Sequence, residues 1–262
     1  MVYAIFILIS FLASVIGCIC GIGGGVIIKP VMDAFHMYSV STISFMSGCI
    51  VLSMTAYSVI KTQLSHESVI EKGSSTWLGI GAALGGLAGK QLFDIIKTAS
   101  ENPDAVGAVQ AVALFALTLA TIIYTVNKSK IKTHSITSGA VCAVIGLALG
   151  MMSSFLGIGG GPINLVVLYF FFSMDTKTAA QNSLYIILIS QLVSLLFTIV
   201  TGAVPEFPAP LLGVMILCGI LGGVVGRKIN KKIDNAAVDK LFIGLLTVIM
   251  FVCVYNYMQF SR

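Results

Sequence analysis

Charge is scarce in this chain. Aspartate, glutamate, lysine and arginine together make up 10% of its 262 residues, against about 25% in an ordinary soluble domain. A soluble globule of this length needs a polar surface that so few charges cannot supply, and that class is excluded. Apart from Arg227, at the end of an apolar run, no arginine stands in an apolar segment. A buried arginine clamp is therefore excluded as well. His36, His66 and His134 fall at segment ends or in loops and form no metal-ligand cluster. No Ser-His-Asp arrangement, P-loop or zinc-ligand spacing occurs. An enzyme is not expected, and neither is a metal or a cofactor. There is no CxxC pair among the six cysteines. Cys18, Cys20, Cys49, Cys142, Cys218 and Cys253 all lie inside apolar segments, where they read as small buried helix residues rather than redox groups. A basic n-region and a clear cleavage site are missing at the N-terminus, so the first apolar run is expected to be retained.

What is present is apolar. Hydrophobic residues make up 57% of the chain and the mean hydropathy is +1.02. Several segments reach the roughly 20 apolar residues that cross a bilayer. The fold class is an all-α polytopic membrane protein. Its apolar segments run over 3–20, 26–37, 43–60, 74–96, 105–126, 136–155, 162–173, 178–201, 208–226 and 237–258. Segments 26–37 and 162–173 cover only about 18 Å at about 1.5 Å per residue, short of a hydrocarbon core of about 30 Å. They are expected to be half-helices. The net charge of +5 comes from lysines and arginines in short loops, which set membrane topology. Lipid is therefore the expected partner and nucleic acid is not.

The chain repeats itself. Gly21-Ile22-Gly23-Gly24-Gly25 recurs 136 residues later as Gly157-Ile158-Gly159-Gly160-Gly161. Gly85-Gly86-Leu87-Ala88-Gly89-Lys90 recurs 137 residues later as Gly222-Gly223-Val224-Val225-Gly226-Arg227. In the second block the small-xxx-small spacing, Gly81, Gly85 and Gly89 included, reads as helix packing. Lysines cluster in 127–135 and 227–240, and Lys61 and Lys72 bracket 61–73; 98–104 carries Glu101 and Asp104, and 202–207 carries Glu206. Placing the basic loops inside makes the second half inverted relative to the first. The expected organisation is a first membrane repeat over 1–126, a cytoplasmic linker over 127–135 and a second repeat over 136–262. Each half is an inverted structural repeat of a broken-helix hairpin plus three crossing helices. Both termini are expected outside a plasma membrane. Trp77 and Tyr124, near predicted inner ends, fit an aromatic belt. A homodimer is left open.

The glycine runs permit a particular chemistry. Unwound backbone survives at membrane depth only inside protein or beside a wet cavity. Consecutive glycine N–H groups can converge on an anion, and the helix that follows adds a partial positive charge. Two such breaks meeting near the midplane would hold a small oxyanion without arginine. The alternative is that the glycines serve packing alone. The candidate substrate-binding residues are Gly21, Gly23, Gly24 and Gly25 in the first break and Gly157, Gly159, Gly160 and Gly161 in the second. Asn164 stands on the first turn after the second break, and Gln181, Asn182, Ser183 and Gln191 on the next crossing. These amides and hydroxyls bind solute or bridge helices. Ser47 is the small polar residue in the equivalent part of the first half. Lys29 is the one lysine within a half-helix, where a charge is a functional candidate by default. It can meet solute, reach outward, or pair with Asp33 four residues on.

A G-x-G-G-G motif opening a short apolar segment in each half, then a small-polar cluster, then a Gly-Gly block, resembles the sulfite exporter TauE/SafE family of membrane permeases. The resemblance covers essentially the whole chain. The small-polar stretch is Ala180-Gln181-Asn182-Ser183 in the second half and Ser44-Phe45-Met46-Ser47 in the first. Pro30 fits the family's proline after the first run, whereas the second copy has Val166 there and Pro162 earlier. What the resemblance implies is transport, often export, of sulfur-containing anions such as sulfite or organosulfonates. The expected function is a secondary transporter working by alternating access; the alternative is a passive anion channel using the same breaks.

Overall fold

The computed structural model describes residues 2–35, 37–99, 103–156 and 161–260, and the side chains of these except 94, 97–99, 103–105 and 260. Gly157, Gly159 and Gly160 lie outside the described residues, as do His36 and Glu101. Ten α-helices account for most of the rest: α1 (Val2–Cys20), α2 (Gly25–Asp33), α3 (Val40–Leu64), α4 (Lys72–Ala99), α5 (Pro103–Asn127), α6 (Gly139–Phe155), α7 (Pro162–Phe172), α8 (Thr176–Val200), α9 (Ala209–Lys232) and α10 (Asn235–Phe260). No strand occurs among the described residues. Six helices, α1, α3, α5, α8, α9 and α10, are long and apolar enough to cross a membrane. The two short ones, α2 with 9 residues and α7 with 11, span about 14 and 17 Å at about 1.5 Å per residue. Large apolar side chains such as Val144, Leu217 and Phe251 face outward, as lipid-facing residues do.

Local sequence explains the boundaries of the two matching crossings. Ser39 caps α3 by accepting from the Thr42 N–H at 3.1 Å. Asp175, 136 residues on, caps α8 by accepting from the N–H groups of Lys177 and Thr178 at 3.0 and 3.1 Å. Such caps satisfy N–H groups that a helix start leaves open. The two helices then run for 25 residues each.

Glycine sets how the longer helices meet. A Cβ at Gly81, Gly85 or Gly89 of α4 would fall on the backbone of Ala143, Leu147 or Met151 of α6, and one at Gly146 or Gly150 of α6 on Leu78 or Ala82 of α4. On the other side of the bundle, Gly222 and Gly226 of α9 lie against the backbone of α1 at Phe11 and Val15. In lipid there is little hydrophobic force between helices, so this backbone approach supplies the packing. The packing role read from the small-xxx-small spacing is what these glycines perform.

The same contacts give helix directions. Residue numbers rise together along α4 and α6 and along α1 and α9, so each pair is parallel. Helices α3 and α9 are joined at their starts, through Thr42 Oγ1 to the Glu206 carbonyl, and near their ends, through Arg227 to Thr62. Helices α4 and α8 are joined by Ser75 to Asn182 and by Lys90 to Thr198, again in parallel. By contrast, α3 meets α8 antiparallel, with Gly48 beside Gln191 and the chain just past α3 bonded to Gln181 and Asn182. Lys128, just past α5, bonds Asp239 near the start of α10.

The most extensive pairings survive exchange of the first five helices for the last five. Contact of α4 with α6 answers α9 with α1, α3 with α9 answers α8 with α4, and α2 with α3 answers α7 with α8. One end of the bundle gathers residues 61–72, 128–138, 173–178 and 227–240, with eleven of the fifteen lysines and arginines.

Candidate functional site

A cavity of about 310 Å³ enters the bundle from the end opposite this basic one. Val40, Ala203 and Pro205, from the connections at that end, contribute to its rim, and Lys29 lies on its wall. Three helices give it hydroxyls: Ser41, Ser44 and Ser47 of α3, Ser153 and Ser154 of α6, and Ser190, Ser194 and Thr198 of α8. Gln110 of α5 and Gln191 of α8 add amides. Among the described residues, the only charged side chains on the wall are Lys29 and Lys90. The wall is thus rich in donors and, among the described residues, without a carboxylate, which suits an anion.

Lys29 is buried, at 4% exposure. Its ammonium donates to the Leu156 carbonyl at 3.2 Å and to Gln110 Oε1 at 3.5 Å, and lies 3.8 Å from Asp33 Oδ2. Gln110 in turn donates to the Phe155 carbonyl at 2.6 Å. The last carbonyls before the second glycine run are therefore held by α2 and α5. All three contacts of Lys29 are long against the roughly 2.7–2.9 Å of a charge-assisted hydrogen bond, so the ammonium keeps bonding capacity for a ligand. Lys90 donates to Thr198 Oγ1 at 2.7 Å. Of the residues singled out in the sequence, this cavity brings together Lys29, Ser47 and Gln191.

The first glycine run is placed elsewhere. Gly21, Gly23 and Gly24 adopt left-handed backbone, with φ of 76, 78 and 71°. A Cβ at Gly21 would strike Ala180 of α8, and Gly23 sits between Ile187 and Val51. The Gly23 N–H donates to the Gly17 carbonyl at 3.4 Å, as Ile22 does at 3.0 Å. With Gly25 also buried, the break is enclosed by apolar side chains and satisfied in part by the end of α1. It does not line the cavity, because α8 packs directly on it. Gly161 has a positive φ of 155°, a conformation that favours glycine, and Asn164 is buried on the first turn of α7; neither lines the cavity.

The amide cluster on α8 is also placed elsewhere. Asn182 Oδ1 accepts from Ser75 Oγ at 2.6 Å and the Glu71 N–H at 2.9 Å. Its Nδ2 donates to the carbonyls of Thr178 and Val69 at 2.8 and 3.1 Å. Gln181 Oε1 accepts from the Val69 N–H at 3.5 Å. These bonds pin the 65–71 connection to α8, so the bridging role describes this cluster. Ser183 is wholly buried and its hydroxyl has no hydrogen-bond partner.

Beside this latch, Glu67 accepts from Arg227 at 2.9 Å and from Lys231 at 2.7 Å, and Arg227 also donates to Thr62 at 3.2 Å. The Lys231 hydrogen bond, with the charges of both cations, holds the Glu67 carboxyl below its ordinary range. The connection after α3 is therefore tied to α9 at the basic end, opposite the end the cavity enters.

Sequence reasoning did not single out Ser190, Ser194 or Gln110, and met Lys90 only at the end of a packing block. The signal was there: Ser41, Ser44 and Ser47 recur every three residues, and Ser190, Ser194 and Thr198 every four. Such spacings set one face of a helix.

The family described as sulfite exporter TauE/SafE matches residues 6–252. The chain is 23% identical over 258 residues to the probable membrane transporter protein YunE of Bacillus subtilis (strain 168), covering 91% of this chain and 92% of that one. No solved structure matches.

Proposed function

Because the chain belongs to the sulfite exporter TauE/SafE family, and is thus a multi-pass membrane transporter, we propose that it carries small sulfur-containing anions, sulfite or organosulfonates, through the Lys29 cavity. The observation that carries this reading is the buried Lys29 ammonium, loosely held in a wall of hydroxyls and amides that has no carboxylate among the described residues. A hydrogen bond from such a group to a charged oxygen is worth about 1.5–3 kcal/mol. A few of them offset much of an oxyanion's desolvation.

The mechanism is alternating access between two inverted halves. Three observations support it: the contacts that survive exchange of the halves, the opposed directions of α3 and α8, and a cavity reaching one end while bonds tie the connection after α3 to α9 at the other. The basic end faces the cytoplasm by the positive-inside rule, so the cavity opens outward in this state and both termini lie on the outer side. The membrane potential then favours anion exit by about 2.3 kcal/mol per charge per 100 mV, which suits export. Purified protein in liposomes preloaded with sulfite should show saturable, labelled-sulfite counterflow. Flux that neither saturates nor shows counterflow would mark a channel instead, and no sulfur-anion flux at all would remove the substrate class.

A further inference from the structure

The two ends of the bundle carry the same cation–threonine pair. At the open end, Lys90 donates to Thr198 Oγ1 at 2.7 Å, and both line the cavity. At the basic end, Arg227 Nε donates to Thr62 Oγ1 at 3.2 Å. Arg227 stands 137 residues after Lys90, and Thr198 stands 136 after Thr62. Those are the offsets of the two repeated glycine blocks. The equivalence extends inward. Ser47 lines the cavity, and its equivalent 136 residues on is Ser183, whose buried hydroxyl has no partner. Ser154 also lines the cavity, and its equivalent is Cys18.

One member breaks the equivalence. Ala203 stands at the cavity rim, and the residue 136 places before it is Glu67. Its carboxylate accepts from Arg227 at 2.9 Å and Lys231 at 2.7 Å. Two cations thus share one carboxylate, and the cluster keeps a net positive charge. A carboxylate is itself a planar oxyanion, the shape that a guanidinium reads by a fork of N–H donors.

We propose that Arg227, with Thr62 and Lys231, is a second oxyanion site at the basic end, and that Glu67 fills it in this conformation as a tethered stand-in for the transported anion. An anion arriving from that side displaces the carboxylate, releases the tie between Glu67 and α9 while the Gln181 and Asn182 bonds still hold residues 69–71, and opens a way to Ser183 and Cys18. The class of ligand is a small sulfonate or sulfite-like oxyanion. The inference rests on the transport reading for its ligand and on geometry alone for its plug.

The test has two arms. In the first, purified wild type and Glu67→Gln are exposed to a hydrophilic methanethiosulfonate, and labelling of native Cys18, which is 5% exposed and bonded to Ser58, is located by mass spectrometry. Glu67→Gln should label faster, by up to about fivefold, the factor that one exposed ion pair supplies at its strongest. Glu206→Gln, at the other end, should label like wild type. Equal Cys18 labelling in wild type and Glu67→Gln overturns the plug. In the second arm, sulfite is presented to the basic end in oriented liposomes. Arg227→Gln should raise KM there about tenfold with little change in kcat, and Arg227→Lys should recover part of it. An unchanged KM in Arg227→Gln overturns the site. If wild type moves no sulfite, the transport reading fails, and the labelling arm still decides the plug.

Discussion

Lys29 and Gly21 are only eight residues apart in the chain, and the fold places one on the cavity wall and the other against Ala180 of α8. Lysine carries its charge wherever the backbone goes, so its importance inside an apolar half-helix was legible without coordinates. Ser47 and Gln191 were legible as polar residues on crossing helices. The glycine run was legible as a break, but not what packs on it: Ala180, Ile187 and Val51 come from helices distant in sequence. Gly21→Val should therefore act on the fold, because its side chain would meet both Ala180 and a left-handed backbone. Thermal unfolding in detergent should fall by several degrees, or folded protein be lost. A Gly21→Val protein as stable as wild type but dead in transport would return this run to solute binding. Which of the two readings of Gln181 and Asn182 the fold realises was not legible for a similar reason. An amide's partners depend on the loop that lies over it, here residues 69–75, and no local pattern marks that contact.

Helices were easier to read than sites. The long apolar runs, the two short segments and the Gly85–Lys90 and Gly222–Arg227 blocks correspond to helices or their contacts, because hydropathy and glycine spacing are local properties. Boundaries moved where capping decided them: α3 starts at Val40 because Ser39 caps it, ahead of the apolar run beginning near 43. Segment 26–37 became a helix of 9 residues. At this scale the tightest joint is α4 on α6. Gly85→Leu should abolish it, since the new Cβ would overlap the Leu147 carbonyl and no rotamer moves backbone away. The expected outcome is loss of monodisperse protein on size exclusion. Leucine at Gly73 or Gly213, where nothing lies near, should be tolerated. A well-behaved Gly85→Leu protein would show that the glycine stripe is not what brings these helices together.

Across the whole molecule, charge separates the two ends and ties the connection after α3 to α9 at one of them. Glu67 lies in the connection after α3, outside the crossing helices, and its carboxyl is held low by the Lys231 hydrogen bond and the neighbouring cations. A lowered folded value means that its stabilisation is fully present above the unfolded value of about 4.3 and is lost as pH falls through the lower folded one. Wild type should thus be more stable than Glu67→Gln by a constant margin from pH 8 to 5, narrowing below about pH 4. A margin that is absent at neutral pH, or grows on acidification, would deny the clasp.

The account stands or falls on whether the Lys29 cavity holds an anion. The direct measurement is calorimetric titration of sulfite into purified wild type and Lys29→Gln, with thermal unfolding to confirm that both are folded. The prediction is saturable binding to wild type, weakened about 10- to 100-fold in Lys29→Gln by loss of one charge-assisted bond. Equal affinity in two folded proteins would contradict it.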